Sequence, residues 1–202
     1  MNDAIRKPFA ESSEENKRPI LRVLAERLST ARTVLEIGSG TGQHAVYFGE
    51  AMPMLIWQTS ELSEMHAGIR LWLDEAGLGN VLNPIALDVE IASQWPDQQY
   101  DAVYSANTAH IMSADAVAAM FSGIGRILNR QGQFLLYGPF MYSGKHTAPS
   151  NEQFDHWLRI QAPHRGVRDL VWLKQLAKQS GMELSEDLEM PVNNRILVWR
   201  KI

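Results

Sequence analysis

The sequence has 202 residues, a length that suits a single domain with a buried core (1–202). Its 45% hydrophobic and 21% charged residues are typical of a globular protein, and a formal net charge of -4 argues against a nucleic-acid partner. The lack of cysteines excludes disulfides, thiolate zinc sites and a cysteine nucleophile. Together with the lack of any apolar run near the ~18 residues of a membrane span, it predicts a cytoplasmic protein without a membrane partner.

The N-terminal part of the chain is predicted to contain an arm followed by a helix. Residues 1–17 are polar and lack hydrophobic periodicity. Pro19 suits the first turn of a helix, where its missing N–H costs nothing. Ile20, Leu24 and Leu28 then follow at helical spacing.

Short apolar runs alternate with amphipathic segments over the rest of the chain. The predicted strands are 33–37, 54–59, 83–87, 100–105, 133–137, 183–190 and 195–200. The predicted helices are 44–52, 63–76, one capped by Ser113, one behind a capping box of Ser150 and Gln153, and one from Asp169 to about Ser180. Five strands alternating with helices predict a parallel α/β sheet, and the short link between the last two strands predicts an antiparallel pair.

Three glycines, Gly38, Gly40 and Gly42, follow the first strand and open the next helix. In an open α/β sheet this turn lies where ligands bind, and glycine lets the backbone approach a ligand. A dinucleotide fingerprint would need a third glycine at Gln43, and a phosphate-binding P-loop would need glycine and lysine at Gln43 and His44. Neither motif is present.

The segment Glu36-Ile37-Gly38-Ser39-Gly40-Thr41-Gly42 resembles motif I of the Rossmann-like S-adenosylmethionine methyltransferases. The resemblance implies a three-layer α/β fold whose seven-stranded, mostly parallel sheet has the order 3-2-1-4-5-7-6 and an antiparallel C-terminal strand. It implies S-adenosylmethionine as cofactor, with this loop near its methionine part, S-adenosylhomocysteine as product, and no metal.

Two further acidic residues end predicted strands. Glu61 ends the second strand, where the superfamily has an acid that accepts both ribose hydroxyls, and Leu62 beside it would lie against the adenine. Asp88, followed by Val89, ends the third strand and resembles the acid for the adenine amino group. The superfamily often has Asp where this chain has Glu61, whose longer carboxylate still reaches a ribose.

Other segments, distinctive as a set, resemble the DUF938 (UPF0585) family, a branch of this superfamily; they are residues 16–21, 137–140, 150–155, 168–169 and 190–194. The family implies a methyltransferase-like fold but no defined substrate. Asn16 belongs to its pattern, so the arm 1–17 is predicted to be a lid. The predicted cofactor ligands are Glu36, Gly38, Ser39, Gly40, Gly42, Glu61, Leu62, Asp88, Val89 and Asn16.

The loop after the fourth predicted strand contains the candidate catalytic residues, Asn107 and His110. His110 has the ordinary pKa range of a general base, although it could instead only position the loop. The candidate substrate residues come from the family-marked segments or lie near them, and each could equally serve a helix cap or a loop; they are Tyr137, Tyr142, Asn151, Arg168, Asn193 and Asn194. The spacing of the other histidines predicts no metal site.

The sequence therefore predicts an S-adenosylmethionine-dependent methyltransferase that acts on a small molecule. Two alternatives stay open at this stage. One is a non-catalytic protein that binds S-adenosylmethionine or S-adenosylhomocysteine as a sensor or adaptor, and the other is a nucleotide-dependent oxidoreductase, which Gln43 disfavours. The acceptor and the oligomeric state are not predicted.

Overall fold

A computed structural model of the chain describes residues 6–202. Its strands are β1 Thr33–Ile37, β2 Ile56–Glu61, β3 Val81–Ala86, β4 Tyr100–Ala106, β5 Leu128–Gly138, β6 Phe140–Tyr142, β7 Lys145–His146, β8 Arg168–Asp169, β9 Met182–Met190 and β10 Asn194–Lys201. Its α-helices are α1 Glu11–Arg27, α2 Gln43–Ala51, α3 His66–Ala76, α4 Ala114–Ile127, α5 Pro149–Gln161 and α6 Leu170–Gln179. Short 3₁₀ turns occupy Ser63–Met65 and Ala92–Gln94.

Seven strands form one sheet in the order β3-β2-β1-β4-β5-β10-β9. The β1–β2, β2–β3 and β4–β5 pairs are parallel, whereas β10 is antiparallel to both β5 and β9. Counted along the chain within this sheet alone, the order is 3-2-1-4-5-7-6. The predicted fold class is therefore confirmed.

A second, three-stranded sheet of order β7-β6-β8 lies between residues 137 and 183, where the sequence predicts no strand. β6 and β7 are antiparallel and are joined by Ser143 and Gly144, whose φ angles are 53° and 77°. Positive φ at both central residues gives the turn a twist that matches that of the flanking strands. This turn was not predicted from the sequence because its first central residue, Ser143, is not a glycine.

Helix α1 begins eight residues before the predicted start, so most of the described part of the arm is helical; residues 1–5 of the arm lie outside the described residues. Glu11 and Glu14 in the first turn favour a helix N-terminus through the helix dipole. Pro19 lies inside the helix, and the buried Ile20 and Leu24 follow it. Packing of the apolar face therefore outweighs the backbone hydrogen bond that proline cannot make.

The predicted helix caps are confirmed in two cases and wrong in two. Ser63, which the sequence predicts as the cap of the helix 63–76, lies in a 3₁₀ turn, and α3 has Met65 as its N-cap without a side-chain hydrogen bond. Ser113 accepts a hydrogen bond from the Ala116 N–H at 2.9 Å, and Asp169 accepts one from the Val171 N–H at 2.7 Å. Helix α5, however, has Ala148 as its N-cap, without a side-chain cap, and Pro149 in its first turn. The preorganised φ of proline starts this helix in place of the predicted capping box.

The described residues divide after Asp88 into two compact units. In the first unit Val34, Phe48 and Trp57 are fully buried. In the second, Phe121 packs edge-to-face against both Phe134 and Trp199, with ring centroids 5.4 and 5.5 Å away. None of the helices within residues 6–202 is long and apolar enough to cross a membrane.

Candidate functional site

The glycine loop of the first unit has backbone φ angles that residues other than glycine rarely adopt. Gly38, Gly40 and Gly42 have φ angles of 73°, 57° and 91°. A Cβ placed on Gly42 would come within 3.3 Å of Ile69, whereas a Cβ placed on Gly40 would meet no atom within 4 Å. The backbone at Gly40 therefore faces open space, as a loop that receives a ligand should.

Glu61 connects the end of β2 to this loop. Its Oε2 accepts a hydrogen bond from the Gly40 N–H at 2.9 Å, and its Oε1 accepts one from the Leu62 N–H at 2.9 Å. A carboxylate can accept about four hydrogen bonds in all, so both oxygens retain accepting capacity. Leu62 is exposed. Leu87, which directly follows β3, donates its N–H to the Glu61 carbonyl at 3.1 Å and precedes the half-buried Asp88.

Glu36 has its carboxyl group inside the protein. Its Oε2 accepts hydrogen bonds from the Ser39 hydroxyl at 2.8 Å and the Trp57 indole N–H at 3.1 Å. Burial raises the pKa of Glu36 from 4.5 to about 7, against the effect of these two hydrogen bonds, and the nearby Glu61 raises it further. The contacts that Glu36 makes therefore fix the shape of the loop through Ser39.

Residues before and within α1 form hydrogen bonds with residues at the start of α2. The Ala10 N–H donates to Gln43 Oε1 at 2.6 Å, and the Thr41 hydroxyl donates to the same oxygen at 3.0 Å. Asn16, the predicted cofactor ligand on α1, accepts at Oδ1 from His44 Nε2 at 2.7 Å. The sequence analysis used Gln43 only to exclude other motifs and missed this connection, which has no local sequence signal.

Asn107 and His110, the predicted catalytic residues, converge on Gly138 in the second unit. A Cβ placed on Gly138 would lie 3.9 Å from Asn107 Oδ1 and 3.7 Å from His110 Nδ1. Asn107 has a φ of 58°, and its N–H donates to the Tyr137 carbonyl at 2.9 Å. The ends of β4 and β5 thus bring together three polar or small residues that the sequence separates by a whole helix.

Arg168 holds the loop that carries His110. Its Nε donates to the Ala109 carbonyl at 2.9 Å, and its Nη2 donates to the carbonyls of Met112 and His164. His110 is buried, and burial lowers its pKa from 6.5 to about 4, with smaller contributions from the cations of Arg168 and Arg165. At neutral pH the imidazole is therefore uncharged.

The other candidate substrate residues each contact protein groups. The Tyr142 hydroxyl donates to Asp187 Oδ2 at 2.8 Å, and Tyr137 is buried. Three asparagines connect loops or stabilise them: Asn151 Nδ2 donates to Thr147 Oγ1 and the Asn193 carbonyl, Asn193 Nδ2 to Ser150 Oγ, and Asn194 Nδ2 to the Pro191 carbonyl. Their contact with a substrate stays a prediction.

Two aromatic residues of α5, Phe154 and Trp157, lie beside His110. The Phe154 ring lies edge-on to His110, with ring centroids 5.2 Å apart and an interplanar angle of 77°. Trp157 stacks on Phe154 at 5.9 Å and 15°, and it is 52% exposed. Within residues 6–202 no group of three acidic or histidine side chains is arranged to hold a metal ion.

The profile of the family described as "Protein of unknown function (DUF938)" matches residues 7–201. The chain belongs to the DUF938 family. Because the match covers nearly all of the chain, the family membership predicted from residues 16–21 and the later segments is confirmed. The family description states no activity.

Solved structures with the same fold as this DUF938 chain include several methyltransferases. An O-methyltransferase family protein from Burkholderia thailandensis is 16% identical, with a TM-score of 0.81 over 92% of this chain and 56% of that one. The mitomycin 7-O-methyltransferase MmcR is 19% identical, with a TM-score of 0.82 over 95% of this chain and 54% of that one. Human N-acetylserotonin methyltransferase in complex with SAM is 15% identical, with a TM-score of 0.77 over 95% of this chain and 53% of that one.

The DUF938 chain spans just over half the length of these proteins. At these identities the likeness shows a shared fold. The seven-stranded sheet of the DUF938 chain therefore has the fold of these methyltransferase structures.

Proposed function

We propose that this chain binds S-adenosylmethionine and transfers its methyl group to a small-molecule acceptor. The observation that carries the proposal is the pairing of an open glycine backbone at Gly40 with the carboxylate of Glu61, 2.9 Å away from the Gly40 nitrogen. Support comes from the fold, shared with structures that contain SAM or SAH. When bound, the cofactor would supply a methyl group that its sulfonium activates.

Residues of the first unit suit this cofactor. Glu61 retains lone pairs for the ribose hydroxyls, and the exposed Leu62 offers an apolar surface for the adenine. Asp88 would accept from the adenine amino group, and Gly40 would leave room for the methionine part. The remaining proposed ligands are Glu36, Gly38, Ser39, Gly42, Val89 and Asn16, of which Glu36 and Ser39 would act through the shape of the loop.

Residues of the second unit would serve the acceptor. The uncharged His110 can accept a proton, and Asn107 beside it offers a carboxamide for hydrogen bonding. With a pKa of about 4, His110 is a weak base, so it suits an acceptor whose hydroxyl is itself acidic. Alignment of acceptor and methyl would supply much of the remaining acceleration.

Two glycines make a matched test of the proposed cofactor site. Gly40 and Gly77 have similar φ angles of 57° and 61°, and an added Cβ meets no atom within 4 Å at either position. Ala at each position therefore carries the same backbone strain, roughly 1–2 kcal/mol. Only Gly40 lies in the glycine loop, because Gly77 ends α3.

The experiment is titration calorimetry of the parent, Gly40→Ala and Gly77→Ala with S-adenosylhomocysteine, and of the parent with NAD. The parent should bind S-adenosylhomocysteine at micromolar concentration, on the order of -8 kcal/mol, and NAD far more weakly. Gly40→Ala should lose affinity while Gly77→Ala keeps it. The absence of any heat of binding when the parent is titrated with millimolar S-adenosylhomocysteine would contradict the proposal.

A methyl-transfer screen with labelled donor separates a catalyst from a sensor or adaptor. A catalyst would label at least one compound in a metabolite pool, and boiled protein is the control. Binding of S-adenosylhomocysteine without any transfer would favour the non-catalytic alternative. Tighter binding of NAD than of S-adenosylhomocysteine would favour the oxidoreductase.

A further inference from the structure

We propose that the methyl acceptor is a planar aromatic molecule with an acidic oxygen, whose ring lies on Phe154 and Trp157 and whose oxygen faces the guanidinium of Arg165. The inference rests on the proposed function and names the class of acceptor that the second unit would take. It follows from an aromatic pair beside His110, the half-buried Phe154 and the exposed Trp157, and from a cation in the same loop cluster that has no ion-pair partner among residues 6–202.

The aromatic shelf consists of Phe154 and Trp157 on α5. Phe154 contacts the His110 ring at one side and stacks on Trp157 at the other, so the three rings are continuous. Trp157 is 52% exposed, and Ile111, next to His110, is also exposed. Aromatic groups of this size stabilise a complex most when another flat ring covers them. An exposed apolar surface that adjoins a buried polar residue is typical of a binding site.

The loop 162–168 runs beside the loop that carries His110. The Gly166 N–H donates to the His110 carbonyl at 2.9 Å, and Arg168 fixes the carbonyls of Ala109 and Met112. Arg165 directly precedes Gly166, so its side chain starts from a backbone position held against His110. The Arg165 cation acts on the His110 ring strongly enough to lower the pKa of the imidazole.

Arg165 differs from the other arginines of this cluster in its partners. Arg159 donates to Asp155 Oδ2 at 3.0 Å, and Arg168 donates to three carbonyls. The Nε of Arg165 is buried and has no hydrogen-bond partner among residues 6–202. The nearby carboxylate, Asp155, already accepts from Arg159 and, at 2.6 Å, from the Val167 N–H.

A buried donor on an unpaired cation is costly unless an anion or acceptor satisfies it. An acidic oxygen of the acceptor would do so, and its negative charge would be stabilised by Arg165. This complements His110, which as a weak base takes a proton only from an acidic hydroxyl. A neutral aliphatic alcohol would satisfy neither requirement.

Methyl transfer to this acceptor would involve the loss of a proton from its hydroxyl and a displacement at the methyl carbon. The acceptor hydroxyl gives its proton to the uncharged imidazole of His110, which later releases it to water. An electron pair of the acceptor oxygen forms the new O–CH₃ bond while the S–CH₃ bond breaks, and that bond's electron pair stays on sulfur. The products are an aryl methyl ether and S-adenosylhomocysteine, with no oxidant or metal required.

The test measures binding of three probes by calorimetry, with and without S-adenosylhomocysteine. Ionised 4-nitrophenol has a planar ring and an anionic oxygen, 4-nitroanisole has the same ring without an acidic oxygen, and cyclohexanecarboxylate has an anionic oxygen without a planar ring. We expect the first probe to bind at least about tenfold more tightly than the other two.

Variants assign the effect to the two proposed contacts. Arg165→Gln should weaken binding of ionised 4-nitrophenol about tenfold or more, and Arg165→Lys, which keeps the charge, should recover part of it. Trp157→Leu should weaken it roughly two- to tenfold. The controls are Arg130→Gln, which changes an exposed arginine on β5, and Met54→Ala, which changes an exposed apolar residue of the first unit.

No binding of ionised 4-nitrophenol, or binding that Arg165→Gln and Trp157→Leu leave unchanged, overturns this inference. So does equal affinity for the three probes. Failure of the proposed function gives a different result, because S-adenosylhomocysteine then produces no heat with the parent whatever the probes do. The two failures are therefore distinguishable in one set of titrations.

Discussion

Glu61 at the end of β2 and Gly40 in the glycine loop are joined by one hydrogen bond, in which the Gly40 N–H donates to Glu61 Oε2 at 2.9 Å. The carboxylate therefore has a structural task besides the ribose contact that the sequence predicts. The same group would hold the loop in shape and bind the cofactor. Replacing it affects both tasks, and the choice of substitution can separate them.

Glu61→Ala should weaken S-adenosylhomocysteine binding by about 1.5–3 kcal/mol or more, the range for hydrogen bonds to a charged group. The melting temperature of the apo protein should change little, because the side chain is half-buried at a strand end rather than in the core. Calorimetry and a thermal melt measure the two quantities. Unchanged affinity would remove Glu61 from the cofactor site.

Glu61→Gln is the matched variant. Its amide oxygen can still accept the Gly40 N–H, but its amide nitrogen donates and cannot accept a second hydroxyl. We therefore expect a loss of affinity smaller than that of Glu61→Ala, with the loop intact. Equal losses in both variants would assign the effect to the ribose contact alone, and no loss in the Gln variant would assign it to the loop.

Glu36 should make stability depend on pH. Its pKa is raised from 4.5 to about 7 in the folded protein, so the unfolded chain loses this proton first as the pH rises. The free energy of unfolding therefore falls as the pH rises from 4.5 to 7. The difference between these two pKa values corresponds to about 3 kcal/mol. Glu36→Gln cannot ionise, so its stability relative to the parent should rise across this window.

Urea unfolding of both proteins through that pH range measures the difference. Glu50→Gln, which removes an exposed carboxylate on α2, is the matched control for the loss of a glutamate. A difference between Glu36→Gln and the parent that does not vary with pH would contradict the buried, raised-pKa carboxyl.

The N-terminal segment is predicted to act as a lid over the cofactor. Because α1 begins at Glu11, a deletion of residues 1–10 leaves the helix intact, whereas a cut at residue 17 would shorten it. The deletion removes the hydrogen bonds from Trp72 to the Pro8 carbonyl and from the Ala10 N–H to Gln43. The dissociation constant of S-adenosylhomocysteine should rise, while the apo melting temperature barely moves.

Other outcomes of the deletion have distinct meanings. A lower apo melting temperature with unchanged cofactor affinity would show that the segment is structural. No effect on either quantity would show a tail without a role. Trp72→Phe loses the hydrogen bond to the Pro8 carbonyl and weakens the contact of Lys7 with the ring, and it should shift the affinity in the same direction by a smaller amount.

The sheet could be predicted from sequence because its signals are local. Thr33–Ile37 is a short apolar strand that runs into glycines, and its bounds agree with the prediction. Helix α1 was predicted only from Pro19 onward, because the polar residues from Glu11 to Lys17 carry no periodic signal and Pro19 suggests a helix start. Its stability comes from packing around Ile20 and Leu24, which propensity does not report.

The site divides in the same way. Glu61 was identifiable because strand ends of an α/β sheet are marked by the strand pattern itself. Gln43 and Arg165 were not identifiable. Gln43 contacts Ala10, which lies 33 residues away in the sequence. Arg165 is distinguished by a buried Nε that has no hydrogen-bond partner among residues 6–202. The same holds for Phe154, whose contact with His110 exists only after α5 packs beside the loop.

The last prediction concerns whether His110 takes part in chemistry. If it accepts the acceptor's proton, His110→Ala should lower turnover by ~10²–10⁴, the usual contribution of a positioned acid–base group. Affinity for S-adenosylhomocysteine should change little, because the proposed ligands Glu61 and Asp88 are unaltered. Because the pKa of His110 is lowered from 6.5 to about 4, the imidazole stays uncharged and the parent should keep its activity below pH 6.5, until the pH nears 4. The variant His110→Gln can form a hydrogen bond but cannot accept the proton. A pH profile of kcat measures its turnover. Near-parental turnover would show that His110 only positions the acceptor and that alignment alone drives the transfer.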